Sequence, residues 1–267
     1  MTEYNLLPKL CGAKRVWVVG AIHGDATRLY ALHDKIAEKV RPGDRLVYTG
    51  NMIGVGPQSC ATLDELLTFR RWFLSIPPFV HNDDIIYLRG AQEEMWQKLL
   101  QLQFARHPDQ VLDWMLPKGL EATIRAYGFD PAEGRTLARE GTVALTHWTQ
   151  ALQETVHKNP GHDQIMVALR HAARTDNGKL LLVNAGLDIT KPLDRQADAF
   201  WWAGRSFAQA ENGFDDYIRV IRGYDPDHKG LAEKGTCLTL DGGCGYGGPL
   251  AAACLDPDGA LLDLIKV

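Results

Sequence analysis

The feature that most constrains the fold is an alternation of short apolar runs and amphipathic stretches near the amino end of the chain. Apolar runs at 15–19, 45–48 and 85–88 each end in a loop that contains glycine. Between them, apolar residues recur at helical spacing over 26–40 and roughly over 58–75. This strand–helix–strand–helix–strand order predicts an α/β fold with a partly parallel sheet.

The middle of the chain has a different pattern. Residues 92–174 are rich in helix formers and are interrupted by prolines and glycines, which predicts several short helices without a strand. We interpret 95–175 as a helical insertion that covers an edge of the sheet.

Strand patterns return near the carboxyl end. Apolar runs are predicted as strands at 179–183, 217–222, 236–240, 250–255 and 261–267. The last three are closely spaced and separated by Gly, Asp and Pro, which predicts an antiparallel meander.

Composition excludes several classes of protein. The 267 residues carry 29 basic and 33 acidic side chains, a net charge of −4, so charge gives no support to nucleic-acid binding. The sequence lacks a long apolar run and a basic, apolar leader, so we expect neither a membrane span nor secretion. The 5 cysteines form no CxxC pair, which argues against a disulfide framework or structural zinc and favours a cytoplasmic location.

Loops at the carboxyl ends of strands are where α/β proteins place their chemistry. The candidate loops here are 20–24, 50–57, 89–93, 184–188 and 222–226. Their order and spacing resemble those of the calcineurin-like metallophosphoesterases, in particular the serine/threonine phosphatase branch, whose motifs are GDxHG, GDxxDRGPxS, GNHE, HAG and a GHTP-like loop. The resemblance covers about 16–255, is carried mainly by glycines and by Glu93, and extends to Asp241-Gly242 before the last strands. It implies one domain over 1–267, an α/β/β/α sandwich of two mixed β-sheets.

The same resemblance implies that the catalytic chemistry is lost. The family holds two metal ions and a bridging hydroxide that attacks phosphorus. Its six metal-ligand positions correspond to Ala21, His23, Asn51, Ala91, Asn184 and Tyr224, and its general-acid histidine to Gln92. Only His23 keeps the ligand type, and Gly54 and Val55 replace the Asp and Arg of the second motif.

These substitutions remove the carboxylates that hard divalent cations prefer. We therefore predict no catalytic residues, no bound metal and no cofactor. The chain is interpreted as a pseudophosphatase that acts by binding a protein partner or a phosphorylated ligand.

A binding role has a candidate anion site. Arg89, Arg205 and Arg222 lie in or near the loops, and arginine binds phosphate without any metal. The alternative is that these arginines form ordinary surface ion pairs.

Two other functions stay open. One is a hydrolase with residual phosphoesterase activity from an unconventional site around His23, Asp25, Asn51, Glu93 and Asn184. The other is an interaction module in which the helical insertion matters and the cleft does not.

Simpler interpretations accompany several of these residues. His23 is expected to be hydrogen-bonded inside its loop, and Tyr224 to fill the space left by a histidine and a metal. The glycine-rich segment 242–248 is predicted to be a turn, and Trp201-Trp202 to pack in the core.

Overall fold

The computed structural model describes residues 7–76 and 82–267, and its strands form two sheets. In chain order the strands are β1 Lys9–Leu10, β2 Arg15–Val19, β3 Asp44–Tyr48, β4 Ile85–Tyr87, β5 Ala173–Thr175, β6 Leu180–Val183, β7 Arg219–Arg222, β8 Ala232–Lys234, β9 Cys237–Thr239, β10 Ala251–Leu255 and β11 Leu261–Lys266. The prediction that the chain has no secretion leader concerns in part residues 1–6, which lie outside the described part.

Both sheets are mixed. One has the order β11-β10-β2-β3-β4, in which β2, β3 and β4 are parallel and β10 runs antiparallel to both β2 and β11. The other has the order β1-β5-β6-β7-β9-β8, with β6, β7 and β9 parallel.

Side chains that alternate along each strand divide between different cores, because successive strand residues point to opposite faces. In β2, Val16 and Val18 join the core between the two sheets, whereas Trp17 and Val19 join the core shared with the helices. The outer face of the second sheet packs against a third apolar cluster that contains Phe200. The layers are therefore helix, sheet, sheet, helix, which confirms the predicted sandwich.

The helices form the two outer layers. They are α1 Ala26–Ala37, α2 Ser59–Phe73, α3 Ala91–Leu99, α4 Pro108–Met115, α5 Leu120–Ala126, α6 Pro131–Glu140, α7 Thr142–Lys158, α8 His162–Ala168 and α9 Ala199–Trp202. Pro108 and Pro131 stand in the first turn of α4 and α6, where proline costs no hydrogen bond. In the described chain, no helix combines the length and apolar character needed to cross a membrane.

Helices α4–α8 occupy most of the segment predicted as an insertion. Their apolar side chains continue the core on the helix side of the first sheet, and the Tyr127 ring stacks on Trp96 of α3 at 5.1 Å. The insertion therefore extends the helical layer, and its last residues form β5, a strand that the sequence analysis placed within a helical segment.

The predicted meander at the carboxyl end is wrong. Strand β9 lies parallel to β7, whereas β10 and β11 belong to the other sheet as an antiparallel pair. The chain crosses between the sheets after Leu240, because β10 pairs with β2 and not with β9. The short strands β1 and β8 were not predicted, since two or three residues carry no readable periodicity.

Candidate functional site

The predicted loops meet at one edge of the sandwich, where the parallel strands end. Ala21 N–H donates to the Gly223 carbonyl at 2.9 Å, and His23 N–H donates to the Asn51 carbonyl at 2.7 Å. The Asn184 carbonyl accepts the Tyr224 N–H at 2.9 Å. The structure thus brings the residues of the family's metal-ligand positions together.

Glu93 is the side chain that fixes two of these loops. It is fully buried, and its carboxylate accepts backbone N–H groups of Asn51 at 2.8 Å, Met52 at 2.7 Å and Gly90 at 2.9 Å. Burial raises the pKa of Glu93 against the opposing effect of these hydrogen bonds. These contacts give Glu93 a structural role.

Glycine allows the loops to approach this closely. A Cβ atom on Gly90 would lie 2.3 Å from Asn51 Oδ1, and one on Gly223 would lie 1.6 Å from Thr49 Oγ1. Both positions therefore exclude a side chain for reasons of packing alone.

His23 is buried at the centre of the site and has no hydrogen bond on either ring nitrogen among the described residues. The expectation that it is hydrogen-bonded is therefore wrong. Its ring makes edge contacts with Tyr224 and Tyr246, each at a centroid distance of 5.4 Å. Burial, with a contribution from His228, lowers the pKa of His23 to about 3, so the imidazole is neutral at physiological pH.

The amides around His23 also carry buried atoms without partners. These are Asn51 Nδ2, Asn184 Oδ1 and Gln92 Oε1. Asn51 Oδ1 accepts the backbone N–H of Gln92 at 3.1 Å, so this oxygen is already engaged. The other end of the Asn51 amide is an N–H donor, which cannot ligate a cation.

This donor set does not fit a pair of divalent metal ions. The family's two metals require anionic oxygen ligands, and the six corresponding positions here offer only a neutral imidazole, two amides and a phenol. Glu93 has both oxygens engaged by backbone N–H groups. Within 7–76 and 82–267, no group of His, Cys, Asp and Glu side chains has the arrangement of a metal site.

The residue at the position of the family's general acid, Gln92, is also engaged in a hydrogen bond to another segment. Gln92 Nε2 donates to the Lys118 carbonyl at 2.6 Å, which ties α3 to the insertion. The remaining carboxylate of the unconventional hydrolase site, Asp25, caps α1 by accepting the Arg28 N–H at 3.0 Å and pairs with the Arg28 guanidinium.

The three arginines of the candidate anion site are not equivalent. Arg222 is buried, and its guanidinium contacts Asp225 at 3.1 Å and the Gly204 carbonyl at 2.9 Å. Arg89 pairs with Glu94 at 2.6 Å. Arg205 is exposed and forms no ion pair within the described chain, so it alone among the three has a free guanidinium.

Several aromatic and polar residues of the site were not predicted from the sequence. Tyr246, from the glycine-rich turn, lies with its ring centroid 4.0 Å from that of His228. His228 Nδ1 is 3.0 Å from Asp241 Oδ2. Asp241 was matched to the family's segment before the last strands, but only the folded chain places its carboxylate beside His228.

The turn that carries Tyr246 differs from a phosphate loop in that an aspartate carboxylate already accepts one of its backbone N–H groups. Asp241 Oδ1 accepts the Gly243 N–H at 2.8 Å, so the turn is closed by an acidic side chain. Cys244 is buried with Sγ 3.1 Å from the Ile22 carbonyl, and burial raises its pKa to about 12. Such a thiol is not an activated nucleophile.

A cavity of about 680 Å³ lies against this site. We call it the tryptophan pocket. Its lining includes Gln92, Trp114, Lys118, Trp201, Trp202, Arg205, Tyr224 and Tyr246. Trp201 is buried as expected, whereas Trp202 is 39% exposed, so the expectation of core packing holds for only one of the two.

Comparisons with known proteins identify the fold. A crystal structure assigned as a diadenosine tetraphosphatase is 20% identical, has a TM-score of 0.59, and the alignment covers 97% of this chain and 96% of that one. A serine/threonine phosphatase from Saccharomyces cerevisiae is 14% identical with a TM-score of 0.53, covering 98% and 83%. A cold-active protein-tyrosine phosphatase of a psychrophilic Shewanella is 12% identical with a TM-score of 0.52, covering 98% and 83%.

These likenesses confirm that the chain has the calcineurin-like metallophosphoesterase fold over nearly its whole length. No protein-family model and no curated protein matches the sequence.

Proposed function

We propose that this protein is a catalytically inactive homologue of the metallophosphoesterases that acts by binding a protein partner or a phosphorylated ligand through its cleft. The observation that carries the proposal is the neutral donor set around His23. The loops that would present metal ligands are in place, but they present Ala21, Asn51, Ala91, Asn184 and Tyr224.

Two tyrosine rings that contact His23 further support this interpretation. The ring centroids of Tyr224 and Tyr246 each lie 5.4 Å from that of the His23 imidazole. Aromatic carbon therefore occupies the space beside His23, the one residue that keeps the family's ligand type. A cation placed there would lose its hydration without gaining an anionic ligand, and that exchange is unfavourable.

A second candidate is a phosphoric ester hydrolase with residual activity. The structural neighbours named as phosphatases favour it, as does the His228–Asp241 pair at 3.0 Å, since a histidine oriented by a carboxylate can accept a proton. The partly exposed His228 is a better candidate for such a base than the buried His23.

Metal content separates the two candidates. We expect protein purified without chelator to hold less than about one-tenth equivalent of Mn, Fe, Zn or Ni by elemental analysis, because too few ligands remain. The same protein with added Mn²⁺ should not hydrolyse p-nitrophenyl phosphate above a buffer control.

Two equivalents of metal per chain, or Mn²⁺-dependent hydrolysis that survives further purification, would overturn the proposal. Hydrolysis without metal that disappears in His228→Asn would support the second candidate instead.

A further inference from the structure

We propose that the tryptophan pocket binds a small molecule in which a planar aromatic group is joined to an anionic group. The inference deepens the proposed function, since it takes the cleft as a binding site and names the chemical class of its ligand. It is carried by the aromatic rings, the unpaired cations and the absence of carboxylates in the pocket lining.

The aromatic recognition comes from two elements that are far apart in the sequence. Trp114 at the end of α4 is 49% exposed, and Trp202 at the end of α9 is 39% exposed. Their ring centroids are 5.7 Å apart at an interplanar angle of 57°, so the two indoles contact each other and form one aromatic wall of the pocket. Exposed indole faces in a concave site favour a planar ligand, because stacking removes apolar surface from water and orients the ring.

The charge of the pocket is positive. Lys118 and Arg205 line it, and the lining contains no aspartate or glutamate. Lys118 Nζ lies 5.0 Å from the Trp114 ring centroid, so one cation is adjacent to one aromatic face. Neither cation forms an ion pair in the described chain, and an anionic ligand would supply the missing partner.

A neighbouring cavity of about 530 Å³ makes a useful contrast. It also contains Arg205, but its other cations are already paired: Arg222 with Asp225, Lys229 with Asp227 and Lys234 with Glu211. Lys229, and at longer range Arg205, lower the pKa of Asp227. Arg205 is therefore shared by the two cavities, whereas Lys118, which also forms no ion pair in the described chain, lines the tryptophan pocket and not this neighbour.

The pocket has the volume and the lining residues of a ligand site. Its volume of about 680 Å³ falls within the range of cavities that enclose small molecules. Its lining includes Gln92 and Tyr224, so the ligand would reach the positions that correspond to the family's general acid and to one of its metal ligands, without needing a metal. Anchoring by an arginine is independent of metal charge.

The experiment uses three probes on the full chain at constant ionic strength. Phenylphosphonate carries the ring and the charge, methylphosphonate carries only the charge, and benzyl alcohol carries only the ring. The phosphonate P–C bond is not an ester, so binding is measured without turnover. By calorimetry we expect phenylphosphonate to bind about tenfold more tightly than methylphosphonate, and benzyl alcohol to bind more weakly than both.

Variants assign the binding to the pocket. Trp202→Leu should weaken phenylphosphonate to the level of methylphosphonate and leave methylphosphonate unchanged. Arg205→Gln should weaken both phosphonates about fivefold or more. Trp114→Leu, on a different element, gives an independent test of the aromatic contact if Trp202→Leu does not fold.

Matched controls lie at the other end of the molecule. Trp72→Leu and Arg71→Gln remove an indole and a guanidinium near the end of α2. The adjacent Phe73 lines a different cavity, together with Asp44 at the start of β3. Both controls should bind phenylphosphonate as the unmodified chain does.

Equal affinity of the unmodified chain for the two phosphonates would overturn the inference. It would also be overturned if the Trp202→Leu variant and the Trp114→Leu variant both retained the preference for phenylphosphonate. Metal-dependent hydrolysis of an aryl phosphate ester would overturn the proposed function but not this inference, because the phosphonate titrations do not depend on turnover.

Discussion

The site has two parts that differ in how much of the family pattern they keep: the framework of its loops and the side chains that point into it. The framework keeps the glycines and Glu93, and the backbone hydrogen bonds between loops are intact. The inward-pointing positions keep only His23. The difference shows that backbone contacts and one buried carboxylate connect these loops, whichever side chains occupy the inward-pointing positions.

The two parts also differ in how many side chains they can accommodate. Alanine, asparagine and tyrosine at the inward-pointing positions are compatible with the close approach of Gly90 to Asn51 and of Gly223 to Thr49. A substitution in the framework has no such freedom.

The largest expected effect comes from breaking the framework. Glu93→Ala leaves buried N–H groups of two loops without an acceptor, so we expect the free energy of unfolding to fall by roughly 3–5 kcal/mol in urea denaturation. The adjacent Glu94→Ala, which removes ion pairs with Arg89 and Lys98, should cost only about 1 kcal/mol. Equal losses for the two variants would mean that the carboxylate of Glu93 does not support the loops.

The next effect comes from restoring the inward-pointing positions. The combined variant carries Ala21→Asp, Asn51→Asp, Ala91→Asn, Gln92→His, Asn184→His and Tyr224→His. Because the framework is in place, Mn²⁺ should bind it and stabilise it by about 2.7 kcal/mol per site at a free concentration one hundred times Kd. Calorimetric titration of the unmodified chain should show no such binding, and a folded variant without Mn²⁺ affinity would refute the correspondence between these loops and the family's motifs.

The smallest effect concerns the retained histidine. Burial lowers the pKa of His23 from 6.5 to about 3, so the unfolded chain binds a proton that the folded chain does not. Its contribution to stability is complete above pH 6.5 and is lost as the pH falls toward 3, at about 1.4 kcal/mol per pH unit. The variant His23→Asn, which suits the φ of +54° at this position, should show a shallower loss of stability between pH 6.5 and 5. Identical slopes would show that His23 is not held neutral by burial.

Much of the fold was readable from local patterns. Strands β2 and β3 and helices α1 and α2 appear within a few residues of their predicted bounds, because apolar periodicity and glycine-containing loops are local signals. The predicted antiparallel pairing of β9 with β10 is wrong, because strand pairing depends on residues that are distant in the sequence. Strand β10 pairs with the central strand β2, which lies far away in the sequence, and not with β9, which directly precedes it.

The sequence by itself determined the loops and which side chains each could offer. That Ala21, Asn51 and Asn184 cannot supply anionic ligands follows from their chemistry, whatever the fold. Only the tertiary structure decided how these side chains are engaged. Among the described residues, it left the His23 ring without a hydrogen bond, and it paired Arg222 with Asp225 while leaving Arg205 without an ion pair. It also brought Trp114 of the helical insertion to within 5.7 Å of Trp202, because packing of the insertion on the first sheet depends on contacts between distant residues that no local pattern encodes.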